Sequence, residues 1–85
     1  MSVYTHEDFG QFIRLKRMAK KLTIKELAIL MNVRESVIIQ LEHNRIMPSF
    51  PRAIKLMEEL DISCAEMIRA VKIHIDLYQT RKIKS

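Results

Sequence analysis

Residue types that commonly do chemistry are few in this chain, and they do not gather. The three histidines, His6, His43 and His74, and the single cysteine, Cys64, are scattered and match no zinc-ligand spacing. No metal and no cofactor are therefore expected. Asp8, Glu26 and Glu66 fall where helix starts need carboxylates, so no carboxylate pair stands out as general acid and base. Ser63-Cys64 lies at a helix start, which lowers a thiol's pKa, but an apolar neighbourhood would leave the thiol inert. The chain reads as a non-enzyme. What stands out is its charge. Fifteen Lys and Arg face ten Asp and Glu, giving a formal +5 that suits a polyanionic partner.

The elements that must carry these groups are helical. Eighty-five residues, 48% of them hydrophobic, suffice for one packed core, so a single domain over residues 1–85 is expected. One glycine and two prolines leave few places for tight hairpins or Gly-rich phosphate loops, and an all-α fold follows. No apolar run approaches the roughly 18–20 residues of a membrane span, and the first residues lack a signal-peptide pattern. With a lone cysteine these features imply a cytoplasmic protein with no membrane partner.

Start signals then divide the chain into five helices. Thr5-His6-Glu7-Asp8 opens the first, with Asp8 as the third residue of a capping box and Phe9, Phe12, Ile13, Lys16 and Arg17 along one face. Thr23 to Glu26 is a second capping box, leading to Leu27, Ala28, Leu30 and Met31, and Asn32 offers a left-handed break. Arg34 to Glu42 reads as the third helix, with Ile38 and Leu41 inward. Ser49 caps the fourth, with Pro51 in its first turn and Ala53, Ile54, Met57 and Leu60 as its buried face. Ser63 to Glu66 is a third capping box and starts a helix over about 64–82.

The helix pair over about 23–42 resembles the helix-turn-helix of the Cro and lambda-repressor type, the XRE-like family. The run Leu22-Thr23-Ile24-Lys25-Glu26-Leu27-Ala28-Ile29-Leu30-Met31-Asn32-Val33 is similar to the family's Leu-Ser-Gln-x-x-Leu-Ala-x-x-x-Gly-Val. Ile38, Leu41 and Glu42 follow at the family spacing, then Pro48 and a closing Leu60-Asp61-Ile62-Ser63, so the resemblance runs from about Phe9 to Ser63. It implies a five-helix lambda-repressor-like domain that binds double-stranded DNA as a transcriptional regulator, and the helix over about 64–82 is an extension of the short final helix typical of that family.

It also implies roles for residues. Glu42 and Arg17 match a pair that locks the third helix on the first. Arg34, Glu35, Ser36 and Gln40 match base-reading positions. Gln40 suits adenine, Ser36 either partner, Glu35 cytosine N4, and Arg34 guanine or a phosphate. Thr23 matches a phosphate donor at the start of the second helix. His43, Asn44 and Arg45 match a loop that touches the backbone. Departures are Ile24 for the family's phosphate-contacting Gln, Arg34 for a Ser or Thr cap, Asn44 for a Gly, and apolar Val37 and Ile39 on the third helix. The last two suit thymine methyl groups, a protein contact or partial burial.

The charge is unevenly spread. Residues 1–21 carry five basic and two acidic residues (net +3), 22–47 three and three (net zero), 48–62 two and three (net −1), and 63–85 five and two (net +3). The recognition segment is thus neutral, between a first helix with Arg14, Lys16, Arg17, Lys20 and Lys21 and a tail with Arg69, Lys72, Arg81, Lys82 and Lys84.

The last helix carries one apolar stripe of Cys64, Met67, Ile68, Val71, Ile75 and Tyr78, and a second of Ala70, Ile73 and Leu77. Two stripes exceed what a monomer needs, so a homodimer is expected, with Met67, Ala70, Val71, Ile73, His74, Leu77 and Tyr78 at its interface. Two recognition helices would then lie roughly 34–36 Å apart on a palindromic operator. The alternative is a helix-turn-helix used chiefly to bind protein, as in an antirepressor or antitoxin. Ile24, Val37, Ile39 and the neutral recognition segment speak for it.

Overall fold

The computed structural model describes the backbone of residues 8–84 and the side chains of residues 8–76. Within them the chain forms α1 (Phe9–Ala19), α2 (Ile24–Met31), α3 (Glu35–Glu42), α4 (Phe50–Leu60) and α5 (Cys64–Lys84), and no strand. The fold is all-α.

Three helix starts show why they begin there. Asp8 is itself the N-cap of α1, its carboxylate accepting from the Gln11 amide at 2.9 Å, rather than the third residue of a box opened by Thr5. Thr5 to Glu7 lie outside the described residues. At α2 the Thr23 hydroxyl accepts from Glu26 N at 3.0 Å, and the Glu26 carboxylate accepts from Thr23 N at 2.8 Å. Ser63 and Glu66 repeat this reciprocal pair at α5, at 3.1 Å each way. The Glu66 carboxylate also takes Lys16 Nζ at 2.7 Å, which ties α5 to α1. That bond to Lys16, followed by the Ser63 amide, holds the Glu66 carboxyl below the usual carboxylate range.

Helix ends are closed without glycine. Lys21, Asn32, Asn44 and Asp61 take the left-handed conformation, with φ of 60°, 58°, 60° and 53°. After α1, Lys21 N donates to Met18 O at 2.9 Å and Leu22 N to Arg17 O at 3.1 Å, the two bonds of a Schellman motif. After α3, Asn44 N donates to Leu41 O at 3.2 Å and Arg45 N to Gln40 O at 2.9 Å in the same pattern. Leu22, Val33 and Ile62, each next after a left-handed residue, return the chain to the core, Ile62 buried and the other two half-buried against it.

The core is one cluster: Phe9 and Ile13 of α1, Leu27, Ala28 and Met31 of α2, Ile38 and Leu41 of α3, Leu56 and Leu60 of α4, Ile62, and Met67 and Ala70 of α5. Two expectations are corrected. α4 is rotated so that Leu56 and Leu60, four residues apart, point inward, while Ala53 and Met57 are half-buried and Ile54 is exposed. In α5, Met67 and Ala70 are turned into the chain's own core, and Met67 reaches solvent only at the edge of an open groove along that helix. The exposed apolar row is instead Ile68 (67% exposed) and Ile75 (45%), with Cys64 also exposed, one to three turns apart on the same helix. Val71, Ile73 and His74 are half-buried, and the side chains of Leu77 and Tyr78 lie outside the described residues.

The one glycine is needed for close approach and not for a turn. A Cβ on Gly10 would stand 2.3 Å from the Glu42 carbonyl oxygen and 2.9 Å from that of Leu41, both backbone atoms that cannot swing aside. The Gly10 amide, one of the unpaired donors of the first turn of α1, donates to Asn44 Oδ1 at 2.8 Å. The first turn of α1 therefore seats directly on the end of α3. Gly10→Ala should lower stability by about 1–3 kcal/mol through overpacking, although alanine is the better helix former by about 1 kcal/mol. Thermal unfolding should show a fall of several degrees, and an unchanged or higher midpoint would mean that α1 lifts off α3 at no cost.

Candidate nucleic-acid interface

α3 is held by one charged pair and two apolar anchors. Arg17 Nε lies 2.6 Å from Glu42 Oε2 and Arg17 Nη2 lies 3.2 Å from Glu42 Oε1, a two-pronged contact of guanidinium on carboxylate. The third prong, Nη1, donates to Leu22 O at 2.8 Å. The two side chains are only 11% and 4% exposed. One arginine thus joins the last turn of α3 to α1 and to the link leading into α2. Ile38 and Leu41, fully buried, fix the inward side of α3.

With that side pinned, the opposite side is decided. Glu35, Ser36, Ile39, Gln40 and His43 are exposed, spaced so that they share the outward half of one helix. Val37 is half-buried and packs on the core, as does Ile24 at the start of α2. Two of the apolar departures noted in the sequence are therefore half-buried against the core, and Ile39 is the one that is exposed.

The remaining candidates divide. Arg34 is exposed and stands as the N-cap of α3 with no side-chain capping bond, so its guanidinium is free to reach outward. Thr23 is exposed, and its hydroxyl is used only as an acceptor, which leaves its proton to donate. Glu26 already occupies the Thr23 amide, so α2 presents a capped N-terminus to an incoming anion. His43 Nδ1 lies 2.8 Å from Ile39 O; a carbonyl only accepts, so Nδ1 carries the hydrogen. Asn44 has its side-chain oxygen committed to Gly10, and only its NH2 group remains to donate. Arg45 is exposed.

The basic residues of α1 and of the turn that follows it divide as well. Lys16 pairs with Glu66, Arg17 with Glu42, and Lys20 with Asp61 at 2.5 Å. Arg14 and Lys21 have no ion pair among the described residues, and both are exposed. A shallow groove of about 250 Å³ runs between α1, the start of α2 and the end of α3, lined by Gln11, Arg14, Arg17, Ile24, Glu42 and His43. Arg14 thus stands in the same groove as Ile24. The sequence marks Arg14 only as one charge among five, because its nearness to Ile24 is set by how α1 crosses α2. No group of three or more His, Cys, Asp or Glu able to hold a metal ion occurs among the described residues. No helix there is long and apolar enough to cross a membrane.

Two short helices joined by a left-handed turn at Asn32, the second braced from behind and polar in front, define a helix-turn-helix. A profile of the helix-turn-helix family matches residues 13–67, and the chain belongs to that family, in its Cro and lambda-repressor type, a group of DNA-binding transcription regulators. Neither the search of curated proteins nor that of solved structures found a match.

Breaking the pair should be costly because the carboxylate left behind is nearly inaccessible to water. Arg17→Met should lose about 3–5 kcal/mol in chemical unfolding. Arg17→Met combined with Glu42→Leu should recover a large part of that loss, since no buried charge then stands alone. A single variant as stable as the parent would show that the pair does not brace α3.

Proposed function

We propose that the chain is a sequence-specific transcriptional regulator of the repressor or controller type, which binds a palindromic operator as a homodimer. The observation that carries this reading is the division of α3: Ile38, Leu41 and Glu42 are locked inward, and Glu35, Ser36 and Gln40 are exposed together on the other side. These are residue types that hydrogen-bond base edges in the major groove. Arg34, at the start of α3, reaches guanine or a phosphate. Thr23, His43, Arg45 and the NH2 group of Asn44 meet the backbone. Arg14 supplies a cation in the groove where Ile24 replaces the family's glutamine. The protein-binding alternative loses support from Ile24 and Val37, which pack on the core.

The dimer rests on the exposed row of α5. Ile68 and Ile75, with Met67, Val71 and Lys72, line an open apolar groove of about 350 Å³. A symmetric contact through this groove covers the exposed isoleucines and leaves α3 of each copy free.

A DNA selection with the purified protein, followed by a footprint, tests the reading and should return a palindrome. Gln40→Ala should relax preference at one base pair by about 1–3 kcal/mol, while Arg45→Ala should weaken all sequences alike and reduce the salt slope by about one. No enrichment over random DNA would remove the regulator reading. The assembly is tested separately. Sedimentation at tens of micromolar should give a dimer that Ile68→Asp converts to a monomer. A parent protein that sediments as a monomer at that concentration would remove the α5 interface.

A further inference from the structure

We propose that Ile39 is a specificity determinant that reads the C5-methyl group of one thymine in each half-site. The proposal rests on α3 being the element that enters the major groove. Ile39 is 42% exposed, although it lies on a helix whose other apolar residues, Val37, Ile38 and Leu41, are drawn into the core. Its neighbours on the outward half are Glu35 and Ser36 one turn before it, Gln40 beside it and His43 one turn after it, all exposed. One aliphatic side chain is thus set in a frame of hydrogen-bonding groups.

The shape of that frame separates the two partners such a residue could meet. A protein-docking surface is apolar at its centre, and its apolar character runs on into adjacent positions. On α3 it does not run on, because every exposed neighbour of Ile39 is polar or charged. The major groove has the matching pattern: donors and acceptors along the base edges, interrupted by a methyl wherever a thymine occurs. Ile39 is also held at fixed height. The His43 ring bonds to Ile39 O at 2.8 Å, and the Ile38 and Leu41 side chains on the opposite side are wholly buried. The neutral charge of residues 22–47 is consistent with a helix that chooses by contact shape rather than by attraction to phosphate.

The test begins from the operator returned by DNA selection. Each thymine of a half-site is replaced in turn by deoxyuridine, which removes only the methyl group, and binding is measured for the parent protein and for Ile39→Ala. The side chain is exposed, so the variant keeps the core; equal melting midpoints verify this. For the parent, one thymine per half-site should lose about fourfold in affinity on replacement, the worth of one buried methyl. For Ile39→Ala, the thymine and deoxyuridine operators should bind equally. A selected operator with no methyl-sensitive thymine overturns the proposal while leaving the regulator reading intact. So does a sensitivity that persists undiminished in Ile39→Ala, or an Ile39→Ala protein that binds the thymine operator as tightly as the parent. Failure to select any operator overturns both readings.

Discussion

Glu42 ends α3 with a carboxylate almost out of reach of water, and everything about the outward surface depends on how that charge is met. Arg17 meets it with two nitrogens and spends the third on Leu22 O, so a single guanidinium fixes α3 relative to α1 and to the start of the α1–α2 link. A buried pair of this kind adds little net stability compared with a well-packed apolar substitute, because both charges are desolvated. Its value here is geometric. A forked contact tolerates few orientations, whereas Ile38 and Leu41 alone would leave α3 some freedom to roll. A rolled α3 would show a different set of side chains to its surroundings.

The same junction explains where the chain uses its glycine. Four helix ends need a left-handed residue, and each is served by Lys21, Asn32, Asn44 or Asp61, all of which bear some cost for that conformation. Gly10 is kept for the place where a side chain cannot exist at all, against the Glu42 and Leu41 carbonyls. Asn44 then does two things at once. Its backbone closes α3 in a Schellman turn, and its side-chain oxygen satisfies the Gly10 amide. The first turn of α1, the last turn of α3 and the following loop form one interlocked unit around the Arg17–Glu42 pair.

Charge is arranged with the same economy. A net +5 promises a broad basic surface, but Lys16 and Arg17 of α1 and Lys20 at its end are drawn into pairs with Glu66, Glu42 and Asp61. Arg14 of α1 and Lys21 just after it are left for longer-range attraction. α3 itself contributes almost none, so any discrimination it makes comes from hydrogen bonds and one aliphatic contact. The unpaired cations Arg14 and Lys21 and the outward side of α3 therefore lie on different elements.

Five helices, most of their caps, the helix-turn-helix over about 23–42 and the inward Ile38 and Leu41 of α3 were legible in the residues alone. These follow from local rules: capping boxes state where helices begin, and a 3.6-residue period states which residues share a face. Arg17 and Glu42 were named as well, by the positions they match in the family the chain resembles. What the sequence left open was set by the packing of one helix on another. Ile24 and Val37 stand where the family has polar residues, yet both are half-buried against the core, because neighbouring elements reach farther around the helix than periodicity can state. α4 turns on Leu56 and not on Ile54, and α5 gives Met67 and Ala70 to its own core while leaving Ile68 and Ile75 outside. Gly10 showed no local signal, since the atoms it must avoid belong to residues 41 and 42, some thirty positions along the chain. Periodicity fixes which residues lie together on a helix; only the crossing of the helices decides which of those faces meets the core and which meets a partner.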